Sequence, residues 1–143
     1  MNKISLFVLI LLSINLFAKP IAVSSEQVAN VLGKSPKLID LRGPKEWKKT
    51  GMIPNSYKMT FYHKKGKKDL AKWLNVFQRV VKSPNQPFGL VSTHTKKAKA
   101  VAKFLSSMGY RKVYYLDGGI ADWIEQGGQV IELNKRPTLK KAR

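Results

Sequence analysis

The sequence predicts one α/β domain built around a short, mostly parallel central sheet. Its 143 residues suffice for a single domain, and 43% of them are hydrophobic, which is enough for a packed core. Short apolar runs alternate along the chain with segments of helical periodicity. The apolar runs lack the apolar–polar alternation of a strand with one wet face, so we expect helices on both faces of the sheet.

The predicted strands are short and bounded by turn-forming residues. They are expected at residues 38–41, 56–59, 88–91 and 112–116, with a last fragment at 130–131. None of these runs is long enough for a helix, and each is rich in branched or aromatic side chains.

Five segments have helical patterns. The clearest is 67–81, whose apolar residues recur at i, i+3, i+4, i+7 and i+11: Leu70, Trp73, Leu74, Phe77 and Val81. A second apolar face ends at Gly109 and consists of Ala98, Val101, Ala102, Leu105 and Met108. Shorter helices are predicted at 25–33 after the capping pair Ser24 and Gln27, at 44–49 behind Pro44, and at 118–126 between two glycine pairs.

The first 18 residues have the pattern of a cleavable signal peptide. Lys3 precedes an apolar run at 4–17, and the small residue Ala18 follows it. An uncleaved anchor is the alternative, but a spanning helix needs about 20 apolar residues. We therefore expect a periplasmic or secreted protein with a folded domain at 19–133 and a flexible basic tail at 134–143.

Composition removes several classes of chemistry. The chain has no cysteine, which excludes disulfide scaffolds, thiolate metal sites and every cysteine nucleophile. Its two histidines, His63 and His94, are too few for most metal or acid–base centres. We expect no metal site and no cofactor.

Three motifs together resemble the rhodanese-like domain. The first is Leu38-Ile39-Asp40-Leu41-Arg42 with Glu46-Trp47 after it, and the second is the turn Gly51-Met52-Ile53-Pro54-Asn55-Ser56. The third is Leu116-Asp117-Gly118-Gly119 with Trp123 and Gly127. The family shows Asp-x-Arg at a strand end, a Gly-His-Ile-Pro-Gly-Ala turn and a late Leu-x-Gly-Gly before a tryptophan. The resemblance covers residues 22–131 and implies a three-layer fold with helices on both faces of the sheet.

The resemblance also places the family's active-site loop. Family members carry Cys-x-x-Gly-x-Arg before a helix that ends in glycine and an aromatic residue, here Gly109-Tyr110. Counting back puts Ser92 at the cysteine, Thr95 at the glycine and Lys97 at the arginine. The family carries sulfur as a cysteine persulfide, and a hydroxyl forms no such carrier. The resemblance therefore implies a rhodanese-like domain without sulfurtransferase activity.

The same loop is a candidate anion site. Backbone N–H groups between a strand and a helix attract sulfate, thiosulfate or phosphate. The candidate residues are Ser92, Thr93, His94, Thr95, Lys96 and Lys97. Thr95 replaces a glycine that tolerates positive φ, which favours a partly collapsed cradle.

Other interpretations of the same residues stay open. Ser92 can simply cap the helix, and a Ser92–His94 nucleophilic pair lacks an orienting acid. Asp40 and Arg42 are expected to support the loop through a hydrogen-bond network, with Arg42 as an anion clamp the alternative. Trp73 and Trp123 are expected in the core.

The charge is strongly positive and clustered. The chain has 27 Lys and Arg against 8 Asp and Glu, and between residues 57 and 116 the only acid is Asp69. The densest run is 63–68, and Lys96, Lys97, Lys99 and Lys103 follow the candidate loop. Such a field attracts anionic partners, although a solvated surface that only confers solubility is the alternative.

Three functions are therefore held against each other. The first is an exported, non-catalytic module that binds a small oxyanion or an acidic envelope protein. The second is a sulfur-metabolism accessory that binds thiosulfate or polysulfide non-covalently, and the third is a protein bound to an anionic membrane or envelope surface. Nucleic acid is not expected, because export and the lack of aromatic stacking near the lysines argue against it.

Overall fold

The computed structural model describes residues 17–62 and 69–133. Most of the predicted signal peptide, the basic run at 63–68 and the tail at 134–143 lie outside the described residues. Residues 22–131, which carry the family resemblance, lie within them except for 63–68.

A five-stranded sheet with the order β1-β5-β4-β2-β3 forms the centre, and every strand pair in it is parallel. The strands are β1 (Ile21–Val23), β2 (Leu38–Asp40), β3 (Tyr57–Lys58), β4 (Phe88–Val91) and β5 (Val113–Leu116). The predicted α/β class and the predicted parallel sheet are confirmed. The strand β1 was not predicted, and the fragment at 130–131 supplies only an antiparallel bridge from Ile131 to Met52.

Helices fill the connections between the strands. They are α1 (Val28–Leu32), α2 (Pro44–Thr50), α3 (Leu70–Val80), α4 (Thr95–Ser107) and α5 (Gly119–Glu125). A 3-10 turn at Ser25–Gln27 leads into α1, and the Gln27 side chain accepts a bond from the Ser24 N–H at 3.1 Å. Pro44 occupies the first turn of α2, where its missing N–H is not needed.

The helices pack on both faces of the sheet and create two cores. On one face, α3 and α4 cover Ile39, Leu90 and Val113 with Phe77 and Leu105 among the buried side chains. On the other face, α1 and α5 cover alternate residues of the same strands, including Leu38, Val91 and Leu116. Burial on both faces explains why these strands are continuously apolar. Among the described residues, no helix is long and apolar enough to cross a membrane.

The direction in which the connections cross the sheet reverses between β2 and β4, which are parallel neighbours. From β2 the chain passes through α2 to β3 on one side, whereas from β4 it passes through α4 to β5 on the other. The loops after these two strands diverge and leave a crevice at their carboxyl ends. Open parallel sheets bind ligands at this kind of switch point.

Candidate functional site

Ser92 lies at the start of the loop that joins β4 to α4, and its hydroxyl is fully engaged. The residue is 2% exposed. Its Oγ donates to the main-chain oxygen of His94 and accepts from the Ala98 N–H at 3.2 Å. The hydroxyl therefore braces the first turn of α4, and its proton points at a carbonyl rather than at the His94 ring.

The N-terminus of α5 donates hydrogen bonds to the same loop. The Ile120 and Ala121 N–H groups donate to the Ser92 and Thr93 carbonyls at 2.9 and 3.3 Å. Gly119 has a φ of 64°, and a Cβ there would lie 2.5 Å from the main-chain carbonyl oxygen of Ser92. Only glycine fits this close approach, so the Gly118-Gly119 pair fixes the path of the loop.

Thr95 is the first residue of α4 and has an ordinary negative φ. Among the described non-glycine residues, only Asn55 has a positive φ. Its Oγ1 donates to Asp117 Oδ1 at 2.8 Å and accepts from the Gly118 N–H at 2.8 Å. The threonine thus ties the start of α4 to the end of β5. The loop holds its shape without a glycine at this position.

Arg42 and Asp40 form a buried ion pair behind the loop. Arg42 is 3% exposed, and its NH2 nitrogen lies 2.7 Å from Asp40 Oδ2. The same nitrogen also donates to the Gly51 carbonyl at 2.8 Å, and the other terminal nitrogen donates to Thr50 Oγ1 at 2.7 Å. The guanidinium is therefore hydrogen-bonded to other groups of the protein, and these contacts join the end of β2 to the end of α2.

Glu46 on α2 reaches the loop from the other side of the crevice. Its Oε1 accepts from the Thr93 hydroxyl at 2.6 Å, and its Oε2 accepts from the Gly43 N–H at 3.0 Å. Burial would raise the pKa of Glu46, but these two hydrogen bonds and the charges of Lys97 and Arg42 outweigh it and lower the pKa below its ordinary value. The carboxylate is therefore charged at neutral pH.

A cavity of 460 Å³ opens at the crevice between these elements. Its walls include three groups from the candidate loop, namely Ser92, Thr93 and Lys97, together with Arg42 and Glu46. Leu41, Gly43, Pro44, Lys45, Thr60 and Tyr62 complete the lining. Two exposed lysines on the walls, Lys45 and Lys97, give the cavity positive charge that suits a small anion.

Lys97 and Tyr62 form the rim of this cavity. The Lys97 Nζ lies 5.3 Å from the centre of the Tyr62 ring, which is a cation–π distance. The Tyr62 hydroxyl donates to the Lys97 carbonyl at 3.3 Å. These contacts hold the lysine beside the opening.

The other candidate residues lie outside this cavity. His94 is the exposed N-cap residue of α4, and Lys96 is exposed on its first turn. Thr95 lines a separate cleft of 530 Å³ with Asp117 and Asp122. The predicted loop is therefore divided, with its two ends at the cavity and its middle turned away.

Four cavity residues with polar side chains were not predicted as site residues: Lys45, Glu46, Thr60 and Tyr62. Glu46 had a usable signal, since it stands three residues after Gly43, at the spacing of a capping box. Thr60 follows β3 and donates to the Arg42 carbonyl at 2.8 Å, a contact that only the parallel register creates.

The Rhodanese-like domain model matches residues 24–126. The polysulfide-sulfur transferase homodimer of Wolinella succinogenes has a similar structure, with 21% identity, 87% of this chain and 85% of that chain covered, and a TM-score of 0.61. A rhodanese-related protein of Thermoplasma volcanium is 20% identical over 78% of this chain and 98% of its own, with a TM-score of 0.59. A rhodanese-like domain protein of Staphylococcus aureus is 19% identical over the same shares, with a TM-score of 0.58. No curated protein sequence matches the chain.

The fold and the arrangement of loops define a rhodanese-like domain related to sulfurtransferases. The match covers most of the chain, and this protein belongs to the rhodanese-like family. It differs from a persulfide carrier in having no cysteine anywhere in its sequence.

Proposed function

We propose that this protein is an exported, non-catalytic rhodanese-like module that binds a small anion in the cavity beside Ser92. The observation that carries the proposal is the state of Ser92. Its oxygen replaces sulfur at the loop position and its proton is donated to a carbonyl. Persulfide transfer needs a thiolate, which this side chain cannot supply.

The cavity supplies groups suited to an oxyanion. Lys45 and Lys97 line it, and neither forms an ion pair within the described residues. The first N–H groups of a helix have no acceptor within the helix, and Lys97, in the first turn of α4, lines the cavity. Sulfate, thiosulfate and phosphate are small anions that such groups bind. An acidic side chain of an envelope protein would present a similar negatively charged group.

Polysulfide is a second candidate ligand. The cavity of 460 Å³ is many times the minimum of about 10–15 Å³ that holds one water. It accommodates a chain of sulfur atoms as well as a tetrahedral ion. The Wolinella structure with the same fold is named a polysulfide-sulfur transferase.

Thermal denaturation with thiosulfate, sulfate, phosphate and tetrasulfide, at one ionic strength with chloride as reference, tests the proposal. A ligand at 100 times its dissociation constant stabilises by about 2.7 kcal/mol. We expect a selective rise in Tm that Lys97→Ala removes and that Lys103→Ala preserves. Lys103→Ala is the matched control, because it removes the same charge from the exposed side of the same helix.

Equal, non-selective shifts in all three proteins would contradict an anion site. A selective rise in Tm that both variants retain would show that the anion binds at a site that does not include Lys97.

A further inference from the structure

The outer surface of the α3–α4 layer is strongly basic. Six exposed cations lie on these helices and on the loops at their C-terminal ends, and we call them the basic face: Lys72, Arg79, Lys82, Lys99, Lys103 and Arg111. The Arg111 N–H donates to the Pro84 carbonyl at 2.9 Å, which holds the two loops together. The six cations therefore belong to one side of the sheet.

Helical spacing explains why these cations share one side. Lys99 and Lys103 are four residues apart, opposite the buried Val101 and Leu105. On α3, Lys72 and Arg79 are seven residues apart and face away from the buried Phe77. Both helices pack on the same core, so their outer faces lie on the same side of the sheet.

No carboxylate in the described residues neutralises the basic face. None of its six cations lies within ion-pair distance of an acid there. The one acid between residues 57 and 116 is Asp69, whose Oδ1 caps α3 by accepting from the Lys72 N–H at 2.9 Å. Acids are concentrated instead at residues 117–132, which contain four and no Lys or Arg, and α5 lies on the opposite face of the sheet.

An exposed apolar side chain interrupts the basic face. Val76 is 43% exposed and stands four residues after Lys72 and three before Arg79, so it lies between them on α3. Cations around an exposed apolar group suit the headgroup region of a bilayer, where charge and a shallow apolar contact act together. A soluble polyanion would use the charges alone.

We propose that the basic face docks this protein on a bilayer that contains anionic phospholipids. This binding site is separate from the cavity beside Ser92 and does not depend on a ligand there. Docking through α3 and α4 places the sheet's acidic α5 side away from the negative surface. The charge distribution therefore favours one orientation.

Vesicle co-sedimentation tests this orientation. The chain from Lys19 is the form to use, because it lacks the apolar run at 4–17 and retains every residue of both cores, the first of which is Val23. A cooperative melt checks that it is folded. The vesicles contain phosphatidylcholine with about 30 mol% phosphatidylglycerol, in about 0.1 M salt, and pure phosphatidylcholine is the reference.

Two double variants with equal net charge make the comparison. Each lysine near an anionic surface contributes about fivefold in partitioning, so Lys99→Gln with Lys103→Gln should weaken binding by about 25-fold. Lys34→Gln with Lys49→Gln removes two exposed lysines outside the basic face and should change binding by less than about threefold. Equal losses in the two double variants would overturn the oriented face, and so would absent binding of the unaltered chain.

A third variant separates lipid from a soluble polyanion. Val76→Ser should weaken binding to the anionic vesicles about threefold or more and leave binding to heparin unchanged. Equal effects on binding to vesicles and to heparin would overturn the membrane proposal, and so would tighter binding to heparin than to vesicles at equal charge concentration. Either result would indicate a soluble acidic polymer as the partner. Anion-induced Tm shifts at the Ser92 cavity do not enter any of these outcomes.

Discussion

The Glu46 carboxylate accepts a hydrogen bond from the Thr93 hydroxyl at 2.6 Å and thereby joins α2 to the loop after β4. These elements follow β2 and β4, the two parallel strands whose connections cross the sheet in opposite directions. The contact closes one wall of the cavity. A carboxylate that is part of the wall also selects ligands, because it repels an anion on its own side.

Glu46→Gln should lower the free energy of unfolding at pH 7 by about 0.5–1 kcal/mol, since it weakens two hydrogen bonds to a charged acceptor. The folded-state pKa of Glu46 lies below its unfolded value, so its stabilising contribution is present above about pH 4.5. That contribution is lost as the pH falls through the folded-state pKa. Urea unfolding at pH 7 and below pH 4 should show a gap between the two proteins that closes in acid. A gap that stays constant or widens in acid would contradict this assignment.

Ser92→Cys should give a thiol whose pKa is lower than the ordinary value of about 8.5. The N-terminal end of α4 and the charge of Lys97 both favour a thiolate there. Ser107→Cys is the matched control, because Ser107 is the last residue of the same helix, where the dipole has the opposite sign. Thiolate absorbance against pH should give the lower pKa for the Ser92 variant. The reverse order would show that the loop has lost its electropositive character.

Gly119→Ala should destabilise the fold by at least about 2 kcal/mol more than Gly33→Ala does. Both glycines have positive φ, so both variants incur backbone strain. A Cβ at Gly119 would also collide with the Ser92 and Thr93 carbonyls, whereas a Cβ at Gly33 meets nothing within 4 Å. Thermal and urea unfolding measure the difference. Equal losses in the two variants would show that the loop yields to the extra methyl group.

Arg42→Met should cost about 3–5 kcal/mol, because it leaves the buried Asp40 carboxylate without its partner. Adding Asp40→Asn removes that charge and keeps an oxygen for the Arg42 main-chain N–H, which donates to Asp40 Oδ1 at 3.1 Å. The double variant should therefore be more stable than Arg42→Met alone. A double-mutant cycle measured by urea unfolding checks this, and simple additivity of the two losses would contradict it.

Residues with strong local signals were predicted within a few positions. Phe88–Val91 is the strand that the apolar run indicates, and α3 begins at Leu70, the first apolar residue of its periodic face. The strand β1 was missed because only Val23 of its three residues is buried, and it lies at the edge of the sheet. A three-residue edge strand carries no periodic pattern, and its pairing with β5 depends on contacts far apart in sequence.

The candidate site was predicted less completely than the fold. Counting along the chain located Ser92 and Lys97, which both line the cavity. The direction of Thr95 depends on Asp117, which is 22 residues away, and local reasoning has no access to that contact. Thr60 and Tyr62 reach the cavity because β3 pairs with β2, so their place follows from the topology of the sheet.

Sulfur transfer from thiosulfate to cyanide by the purified chain tests the central claim most directly, with Ser92→Ala as the control for contaminating enzyme. The Ser92 hydroxyl is hydrogen-bonded to the His94 carbonyl and forms no persulfide. We therefore expect equal rates for both proteins, at the level of the uncatalysed reaction. Turnover by the unaltered chain that Ser92→Ala abolishes would contradict the account. Ser92 would then be a working catalytic residue, and the cavity would be an active site.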